Sequence, residues 1–310
     1  MIQTEKTLES RPSEPRSGSS KDGEPWREAA DVHGDHAPEC VIKPTSGWIA
    51  IDWQEIYNYR ELLVFFIWRD VSTRYKQTIL GPAWAILQPL IMLVIFTFVA
   101  SFTGIKGPMD LPPPVWIFAG LIPWAIFSQG MPASANSLIN SLNMVTKVYF
   151  PRVFLPVTAA AVFLVDAVIT LLLYGGIMLY YQVAPHWTIV FVPVLVVLTL
   201  IATLSFGILL SGLTLFYRDF KHLIPFLVQI MTYVTPIFYS ISDLPSNRQW
   251  ILWILSINPM FGIVEAFRSC ILGTPMYWTC FLISSVTAVA LFVFAVFYFR
   301  RTERMFADYV

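Results

Sequence analysis

The sequence predicts an all-α polytopic membrane protein with six transmembrane helices, an N-terminal amphipathic helix at the membrane interface, and re-entrant half-helices between spans five and six. Of its 310 residues, 56% are hydrophobic and only 13% are charged, whereas soluble domains carry about 25% charged residues. Six separate apolar segments also reach the roughly 20 residues that a helix needs to cross the hydrocarbon core. A single large soluble domain is therefore disfavoured.

Residues 1–47 differ in composition from the rest of the chain. They are rich in Ser, Pro, Glu, Gly and Asp, and they hold six basic and nine acidic residues. Such a segment buries too little apolar surface to offset its chain entropy, so it is predicted to be a disordered cytoplasmic tail. It also lacks the apolar core of a signal peptide. A docking or regulatory role is the alternative.

Residues 48–80 are predicted to form an amphipathic interfacial helix and its connector to the first span. Arg60 and Glu61 interrupt the apolar pattern, so the segment is too polar to cross the bilayer and should lie in the plane of the interface. The apolar residues of the pattern are Trp53, Ile56, Tyr57, Leu63, Phe66 and Ile67.

Residues 81–305 are predicted to form the six-helix transmembrane domain. Asp166 is the only charged residue inside the predicted spans. A charge at that depth is costly, so Asp166 should face the bundle interior or an aqueous path. A structural hydrogen bond to Ser, Thr or Tyr and a contact with substrate are both open interpretations. The predicted spans are residues 82–103, 114–132, 154–181, 188–216, 223–241 and 277–299.

Two shorter apolar runs, residues 249–258 and 260–273, lie between spans five and six. Each is too short to cross a bilayer. They are separated by Asn258-Pro259, and the second run carries Glu265 and Arg268. Re-entrant or interfacial half-helices are the predicted structure.

The distribution of basic residues predicts the orientation, because cytoplasmic loops of membrane proteins carry an excess of Lys and Arg. Placing both termini in the cytoplasm puts eleven basic residues of the domain inside and three outside. The three outside are Lys106, Arg248 and Arg268, and the eleven inside are Arg60, Arg69, Arg74, Lys76, Lys147, Arg152, Arg218, Lys221, Arg300, Arg301 and Arg304.

Two predicted cytoplasmic loops place charges directly beside aromatic residues. Such a loop suits a docking surface for a partner, although membrane anchoring explains the same composition because aromatics also favour the interface. The residues are Lys147, Tyr149, Phe150 and Arg152 in the first loop and Tyr217, Arg218, Asp219 and Phe220 in the second.

No catalytic motif is apparent in the sequence. None of the seven lysines follows a glycine, so the phosphate-binding pattern GxxxxGK[ST] is absent, as are HExxH and GxSxG. The three cysteines fit neither a disulfide framework nor a metal site. We therefore expect a non-catalytic chain without a cofactor of its own. Basic and acidic residues are equal in number, 20 each, and no strongly basic surface indicates a nucleic-acid partner. Active transport would need an energising partner or an ion gradient, and a single intramembrane charge disfavours the gradient. A membrane-embedded glycosyl or acyl transferase would need acidic or histidine clusters at one membrane face, and these are absent from the sequence.

The motifs, taken in order, resemble the permease subunits of type 2 ABC exporters, in particular the branch that exports polysaccharides and polyol phosphates. Residues 147–152 and 217–220 resemble that family's two cytoplasmic loops, and Asn258-Pro259 with Glu265, Arg268 and Gly273 resembles its outer loop. The resemblance extends over residues 53–305. Its beginning is carried by Trp68-Arg69-Asp70, Arg74-Tyr75-Lys76-Gln77, Gly81-Pro82, Trp84 and Gln88-Pro89.

The resemblance implies a homodimer of permeases that works with two copies of a separate ATP-binding cassette subunit. Residues 217–220 would be a coupling element seated in a cleft of that subunit, which would bind and hydrolyse ATP. The implied substrate is a lipid-linked glycan, such as an O-antigen, which the permease would carry across the cytoplasmic (inner) membrane. The permease itself would be in contact with membrane lipids. Teichoic acid or capsule precursors are alternative substrates, and a gradient-driven lipid or sugar transporter is the remaining alternative function.

A glycan channel would suit the aromatic residues of the first two spans. Trp84 and Gln88 share one face of the first span because they are four residues apart. Trp116, Trp124 and Phe127 lie on or near one side of the second span. Packing against lipid or inside the bundle explains these aromatics equally well.

Overall fold

The structure is a computed structural model that describes residues 57–76, 83–103, 107–145, 147, 150–217, 219–241 and 249–303. The all-α prediction is confirmed, since the regular structure of these residues is helical. The longer helices are α1 (Arg60–Lys76), α2 (Ala83–Thr103), α3 (Pro113–Asn140), α4 (Phe154–Tyr180), α5 (Val192–Phe216), α6 (Phe220–Val234), α7 (Gln249–Ser256), α8 (Pro259–Leu272) and α9 (Trp278–Glu303). Shorter helical turns are Pro108–Asp110, Leu142–Val145 and, directly before α5, Trp187–Phe191.

Several predictions fall outside the described residues. The tail at 1–47 is one of them, and the beginning of the interfacial segment with Trp53 and Ile56 is another. In the two charged loops, Tyr149 and Arg218 also lie outside the described part of the chain.

The protein is a multi-pass membrane protein. Among the described residues, four helices are long and apolar enough to cross a bilayer: α3, α4, α9, and α5 together with the helical turn before it. The bent pair formed by α7 and α8 brings the number to five if it counts as one span. The predicted first span coincides with α2, whose apolar part is Ile86–Val99. The predicted fifth span coincides with α6, which has only 15 residues.

Helix α3 forms the centre of the bundle. It begins with prolines at its first positions, where a missing N–H leaves no helical bond unmade. It packs most extensively against α4 and α5 and also contacts α2 and α8. Most of its length is buried within the chain. The side chains of α3 are therefore surrounded mainly by neighbouring helices and not by lipid.

Helix α1 packs alongside the beginning of α4. The Phe66 ring meets the Phe150 ring edge-on, with the centroids 5.4 Å apart, and further along α1 the Tyr75 hydroxyl hydrogen-bonds to Asp166 in α4. The two helices therefore run in the same direction over this stretch. The helix also continues to Lys76, so part of the predicted connector is helical.

The apolar residues of α1 are not confined to one face. Phe66 is buried, whereas Val64, Phe65 and Trp68 are exposed. In a one-sided amphipathic helix, these apolar side chains would all lie on the same face. The position of α1 at the membrane interface remains a prediction.

Helices α7 and α8 meet at a bend of 99°. The Asn258 side chain accepts a hydrogen bond of 3.0 Å from the Met260 backbone N–H, and Pro259 occupies the first helical position, so the pair restarts the helix in a new direction. Gly273 ends α8 with a left-handed φ of 71°. The helix break lies at the predicted dipeptide, and a re-entrant path remains a prediction.

Candidate functional site

A cavity of about 260 Å³ lies among α1, α2, α3 and α4. It brings together Trp84 and Gln88 of the first predicted span with Asp166 of the third. The polar and aromatic residues that line it are Arg74, Tyr75, Trp84, Gln88, Gln129, Phe163, Asp166 and Thr170.

Asp166 is held by two side chains of α1. Its Oδ2 atom lies 2.9 Å from Nη2 of Arg74, and its Oδ1 accepts a hydrogen bond from the Tyr75 hydroxyl. The Asp166 side chain is only 12% exposed, so these contacts offset the cost of burying its charge. Of the two open interpretations, hydrogen bonding to Tyr describes this contact, and a contact with substrate remains a prediction.

Arg74 connects three helices through one guanidinium. Besides its ion pair with Asp166, it donates to Oε1 of Gln129 at 3.3 Å, and its Cζ lies 4.4 Å from the centre of the Phe163 ring. Burial raises the pKa of Tyr75 above its usual range, and the hydrogen bond to Asp166 raises it further. The Tyr75 hydroxyl therefore remains a donor.

Trp84 and Gln88 contribute the accessible wall of the cavity from α2. Trp84 is 51% exposed, and Gln88 is exposed one helical turn further on. Within the described part of the chain, the Gln88 amide has no hydrogen-bond partner. An aromatic ring and an unoccupied amide thus flank the Arg74–Asp166 pair.

The other predicted channel aromatics lie inside the bundle. Trp116, Trp124 and Phe127 are all buried, and the Trp124 and Phe127 rings pack with their centroids 5.5 Å apart. Packing within the chain is the interpretation that this burial favours. A channel contact for these three residues remains a prediction.

The predicted outer-loop residues form a buried polar cluster. The Arg268 side chain has no exposed surface and pairs with Glu265 at 3.3 Å. It also donates to the backbone carbonyls of Pro236, at 2.6 Å, and Ile237, at 2.5 Å. Its Cζ lies 3.9 Å from the centre of the Trp116 ring.

Asn258 makes a second link in the same region, through a hydrogen bond of 3.0 Å from its Nδ2 to Oγ1 of Thr235. Together, the contacts of Arg268 and Asn258 connect the chain that follows α6 to α8.

Sequence reasoning did not identify the residue that makes room for this guanidinium. A Cβ atom on Gly120 would lie 2.6 Å from Nη2 of Arg268. Any side chain at this position would therefore displace the arginine. A glycine in the middle of an apolar helix was the available signal, because such a glycine usually has a packing reason.

The second charged loop projects from the bundle. Tyr217 is 63% exposed, Asp219 is exposed and Phe220 is half-buried, and the two rings lie with their centroids 6.1 Å apart. Asp219 occupies the N-cap position of α6 without a side-chain capping bond. Within the described part of the chain, its exposed carboxylate has no hydrogen-bond partner, which suits contact with a partner subunit.

The first charged loop is more closely packed into the fold. Lys147 is exposed, but Phe150 is buried against Phe66. Arg152 donates from Nη1 to the Glu303 carbonyl at 3.0 Å, at the end of α9. Lys147 is thus the accessible residue of this loop within the described part of the chain.

Both loops lie at the same end of the bundle. Thr214, near the end of α5, donates from its hydroxyl to the Ala135 carbonyl, near the end of α3, at 2.9 Å. The loops that follow these two helices therefore emerge side by side, and Arg152 brings the end of α9 to the same place. A single partner can reach both loops.

The described residues contain no group of His, Cys, Asp or Glu that could hold a metal ion. Cys270 and Cys280 are both buried and are not bonded to each other.

Comparison with known proteins identifies the family to which the chain belongs. Residues 61–272 match the model described as ABC-2 type transporter. The chain is 28% identical over 216 residues to the O-antigen export system permease protein RfbA of Myxococcus xanthus, a match that covers 70% of this chain and 82% of that protein.

Two further relatives match over longer stretches. The chain is 25% identical over 252 residues to an O-antigen export system permease protein RfbA of Klebsiella pneumoniae, covering 80% of this chain and 94% of the relative. It is also 25% identical over 251 residues to the polysialic acid transport protein KpsM of Escherichia coli, covering 76% and 92%. The family match extends from α1 to α8 and includes the cavity and both loops, so the chain belongs to the ABC-2 type transporter family as a permease subunit.

Proposed function

We propose that this chain is the channel-forming subunit of an ATP-driven exporter that moves a lipid-linked, O-antigen-like polysaccharide across the cytoplasmic membrane. The observation that carries the proposal is the likeness to permeases named for O-antigen export over 82% and 94% of their length. The relative named for polysialic acid transport favours an acidic capsule-type polysaccharide as the second candidate. A teichoic acid precursor is a further alternative.

In this proposal a separate ATP-binding cassette subunit binds and hydrolyses ATP. The sequence offers no phosphate-binding GxxxxGK[ST] motif, and the family membership supports a partner of this kind. The partner would dock at the end of the bundle where Tyr217, Asp219 and Lys147 are exposed. Arg218, Tyr149, Phe220, Phe150 and Arg152 complete the proposed coupling surface.

The proposal also includes an arrangement in the membrane. Six spans, with α2 and α6 as the first and fifth, would cross the bilayer, α1 would lie at the cytoplasmic interface, and α7 and α8 would enter from outside. Both termini would be cytoplasmic, with residues 1–47 as a disordered tail. Two copies of the chain would form the channel, and the exposed apolar side of α2, with Ile91, Val94 and Phe98, would face lipid or the second copy.

Deletion of the gene tests the function. We expect lipid-linked glycan to accumulate on the cytoplasmic side of the membrane, and complementation with the intact gene to restore export. An ATP-binding subunit should copurify with the tagged permease. Export that continues after depletion of ATP but stops when the proton gradient is collapsed would instead support a gradient-driven transporter.

A further inference from the structure

The cavity among α1, α2, α3 and α4 combines three chemical features. Its two charges, on Arg74 and Asp166, are paired at 2.9 Å. Two amides, on Gln88 and Gln129, line it, and Trp84 presents a half-exposed indole ring.

We propose that this cavity binds a neutral sugar ring of the transported glycan, in preference to an acidic sugar or to the diphosphate of a lipid carrier. The inference rests on the proposed function, in which the substrate is a lipid-linked polysaccharide. It assigns the ligand class, which the family membership leaves open.

The charge balance of the cavity argues against an anionic ligand. A diphosphate or carboxylate is bound through positive charge, usually of arginine, but the charge of Arg74 is already neutralised by Asp166. An anion that withdrew Arg74 would leave the Asp166 carboxylate nearly buried without its counter-ion, which is strongly unfavourable. It would also face the negative charge of Asp166 directly.

The remaining groups suit a sugar. Hydroxyls both donate and accept hydrogen bonds, and the Gln88 amide offers a carbonyl and an NH₂ that have no partner among the described residues. Oε1 of Gln129 accepts from Arg74, which leaves the NH₂ of that amide to donate to a ligand. Trp84 adds a flat apolar surface with a polar N–H at its edge.

The size and depth of the cavity fit a segment of glycan in transit. Its volume of about 260 Å³ lies just below the roughly 300–1,000 Å³ of pockets for drug-sized ligands, so it would hold one ring rather than a longer chain. Asp166 is in the thirteenth position of α4, about 18 Å along its axis. Trp84 and Gln88 lie in the first two turns of α2, at its proposed cytoplasmic end. The site therefore lies between that end and the middle of α4, where a substrate that enters the proposed channel would pass.

Saturation-transfer NMR on the purified full-length protein tests the assignment. The neutral probes are glucose, galactose, mannose, rhamnose and N-acetylglucosamine, and the anionic probes are N-acetylneuraminic acid and inorganic pyrophosphate. We expect at least one neutral sugar to bind the unmodified protein, and binding to weaken about fivefold or more in Trp84→Ala and in Gln88→Leu, since each removes one recognition group. Both residues are exposed, so neither change should unfold the protein.

Trp278→Ala is the matched control. Trp278 is 63% exposed at the start of α9 and does not line the cavity, so its removal should leave sugar binding unchanged. Asp166→Asn tests the charge argument: it leaves Arg74 without its counter-ion and should create binding of pyrophosphate that the unmodified protein lacks.

Three results would overturn the assignment: stronger binding of an anionic probe than of any neutral sugar to the unmodified protein, no sugar binding at all, or equal sugar binding in all variants. Failure of pyrophosphate binding to appear in Asp166→Asn would also contradict it. These measurements involve neither ATP nor export. Absent sugar binding with normal copurification of the ATP-binding subunit would therefore reject the sugar site alone, whereas sugar binding without an ATP-binding partner would reject the proposed mode of transport.

Discussion

At the scale of single residues, Arg268 shows how the bundle accommodates a charge in its interior. The side chain is completely buried, and an isolated ion there would be very costly. Glu265 neutralises it, two backbone carbonyls accept its N–H groups, and the Trp116 ring covers its face. Arg268 therefore acts as a structural connector between α8 and the chain that follows α6.

Replacement of this arginine should be strongly destabilising. Arg268→Met leaves Glu265 as an uncompensated buried charge, and we expect it to lower the free energy of unfolding by about 3–5 kcal/mol. The double variant Arg268→Met/Glu265→Gln should lose less than the sum of the two single changes, because it removes both charges. Unfolding of the purified protein in a detergent titration measures the difference. Lys221→Met, at an exposed position, is the control, and a similar loss in that variant would contradict the structural role.

Gly120 should tolerate no side chain. In Gly120→Ala the new Cβ would lie 2.6 Å from Nη2 of Arg268, so we expect a loss of about 1–3 kcal/mol through overpacking. Gly176→Ala is a matched control, since a Cβ on Gly176 meets no atom within 4 Å. Thermal unfolding of the two variants under the same conditions measures the difference in their stability. Equal stability of the two would show that Arg268 is not fixed at this contact.

The sequence predicts Asp166 as a notable residue but does not predict its partners. Asp166 stands out because it is the only charge inside the predicted spans. Its hydrogen-bond donor Tyr75 is 91 residues away in the chain. Many arginines and tyrosines lie in predicted cytoplasmic segments, and nothing in one sequence distinguishes the two that pack against α4.

At the scale of helices, the long apolar runs were the most predictable feature. α3, α4, α5 and α9 cover predicted spans because only a helix satisfies the backbone of so long an apolar segment in a bilayer. α3 also continues to Asn140, past the predicted end of its span at residue 132. The predicted span 223–241 was less accurate, since α6 ends at Val234. Pro236 was the overlooked signal, because helices usually end at or before the residue that precedes a proline.

The two charged loops have similar sequences but different surroundings. Phe150 and Arg152 are engaged with α1 and α9, whereas Tyr217 and Asp219 are exposed. A sequence pattern records which residues are present, and packing decides which of them remain accessible. The second loop is therefore the stronger candidate for contact with a partner.

Changes in the second loop should affect the partner rather than the fold. We expect Tyr217→Ala and Asp219→Ala to reduce copurification of the ATP-binding subunit or to uncouple its hydrolysis from export. Loss of a buried, hydrogen-bonded interface charge costs about 2–5 kcal/mol of binding. Abundance in the membrane should stay normal, because both residues are exposed.

Tyr180→Ala provides the control for this loop. Tyr180 is an exposed tyrosine at the far end of α4, and its loss should leave copurification unchanged. Crosslinking from a cysteine placed at position 219 would report the contact directly. The absence of a crosslink together with normal export in both alanine variants would reduce this loop to a charged turn.

At the scale of the whole molecule, the hydrogen bond between Thr214 and Ala135 brings the two charged loops to one end of the bundle. The excess of basic residues in the same loops predicts that this end is cytoplasmic. The geometry and the charge distribution are independent observations, and together they define the membrane orientation that we propose.

Labelling of introduced cysteines tests this orientation. Positions beside Lys106 and Arg248 should react with a membrane-impermeant reagent in intact cells. Positions beside Lys147 and Arg218 should react only after permeabilisation. The opposite pattern would reverse the orientation and remove the basis for both coupling-loop proposals.

The N-terminal tail should be dispensable for assembly. Its composition predicts disorder, so deletion of residues 1–45 should leave membrane insertion, dimer formation and export nearly unchanged. Membrane fractionation and size-exclusion chromatography of the truncated protein provide the measurement. Loss of insertion would show that the tail contributes to the folded domain.

The central position of α3 has a consequence for how the protein is made. Among the four long candidate spans, α3 is both the least apolar and the most enclosed by the rest of the chain. A helix of this kind gains little by entering lipid alone, because insertion into the bilayer depends on the hydrophobicity of each segment. We therefore expect newly synthesised α3 to wait beside the insertion machinery until α4 and α5 emerge from the ribosome, so that the centre of the bundle is among the last parts to settle in the membrane.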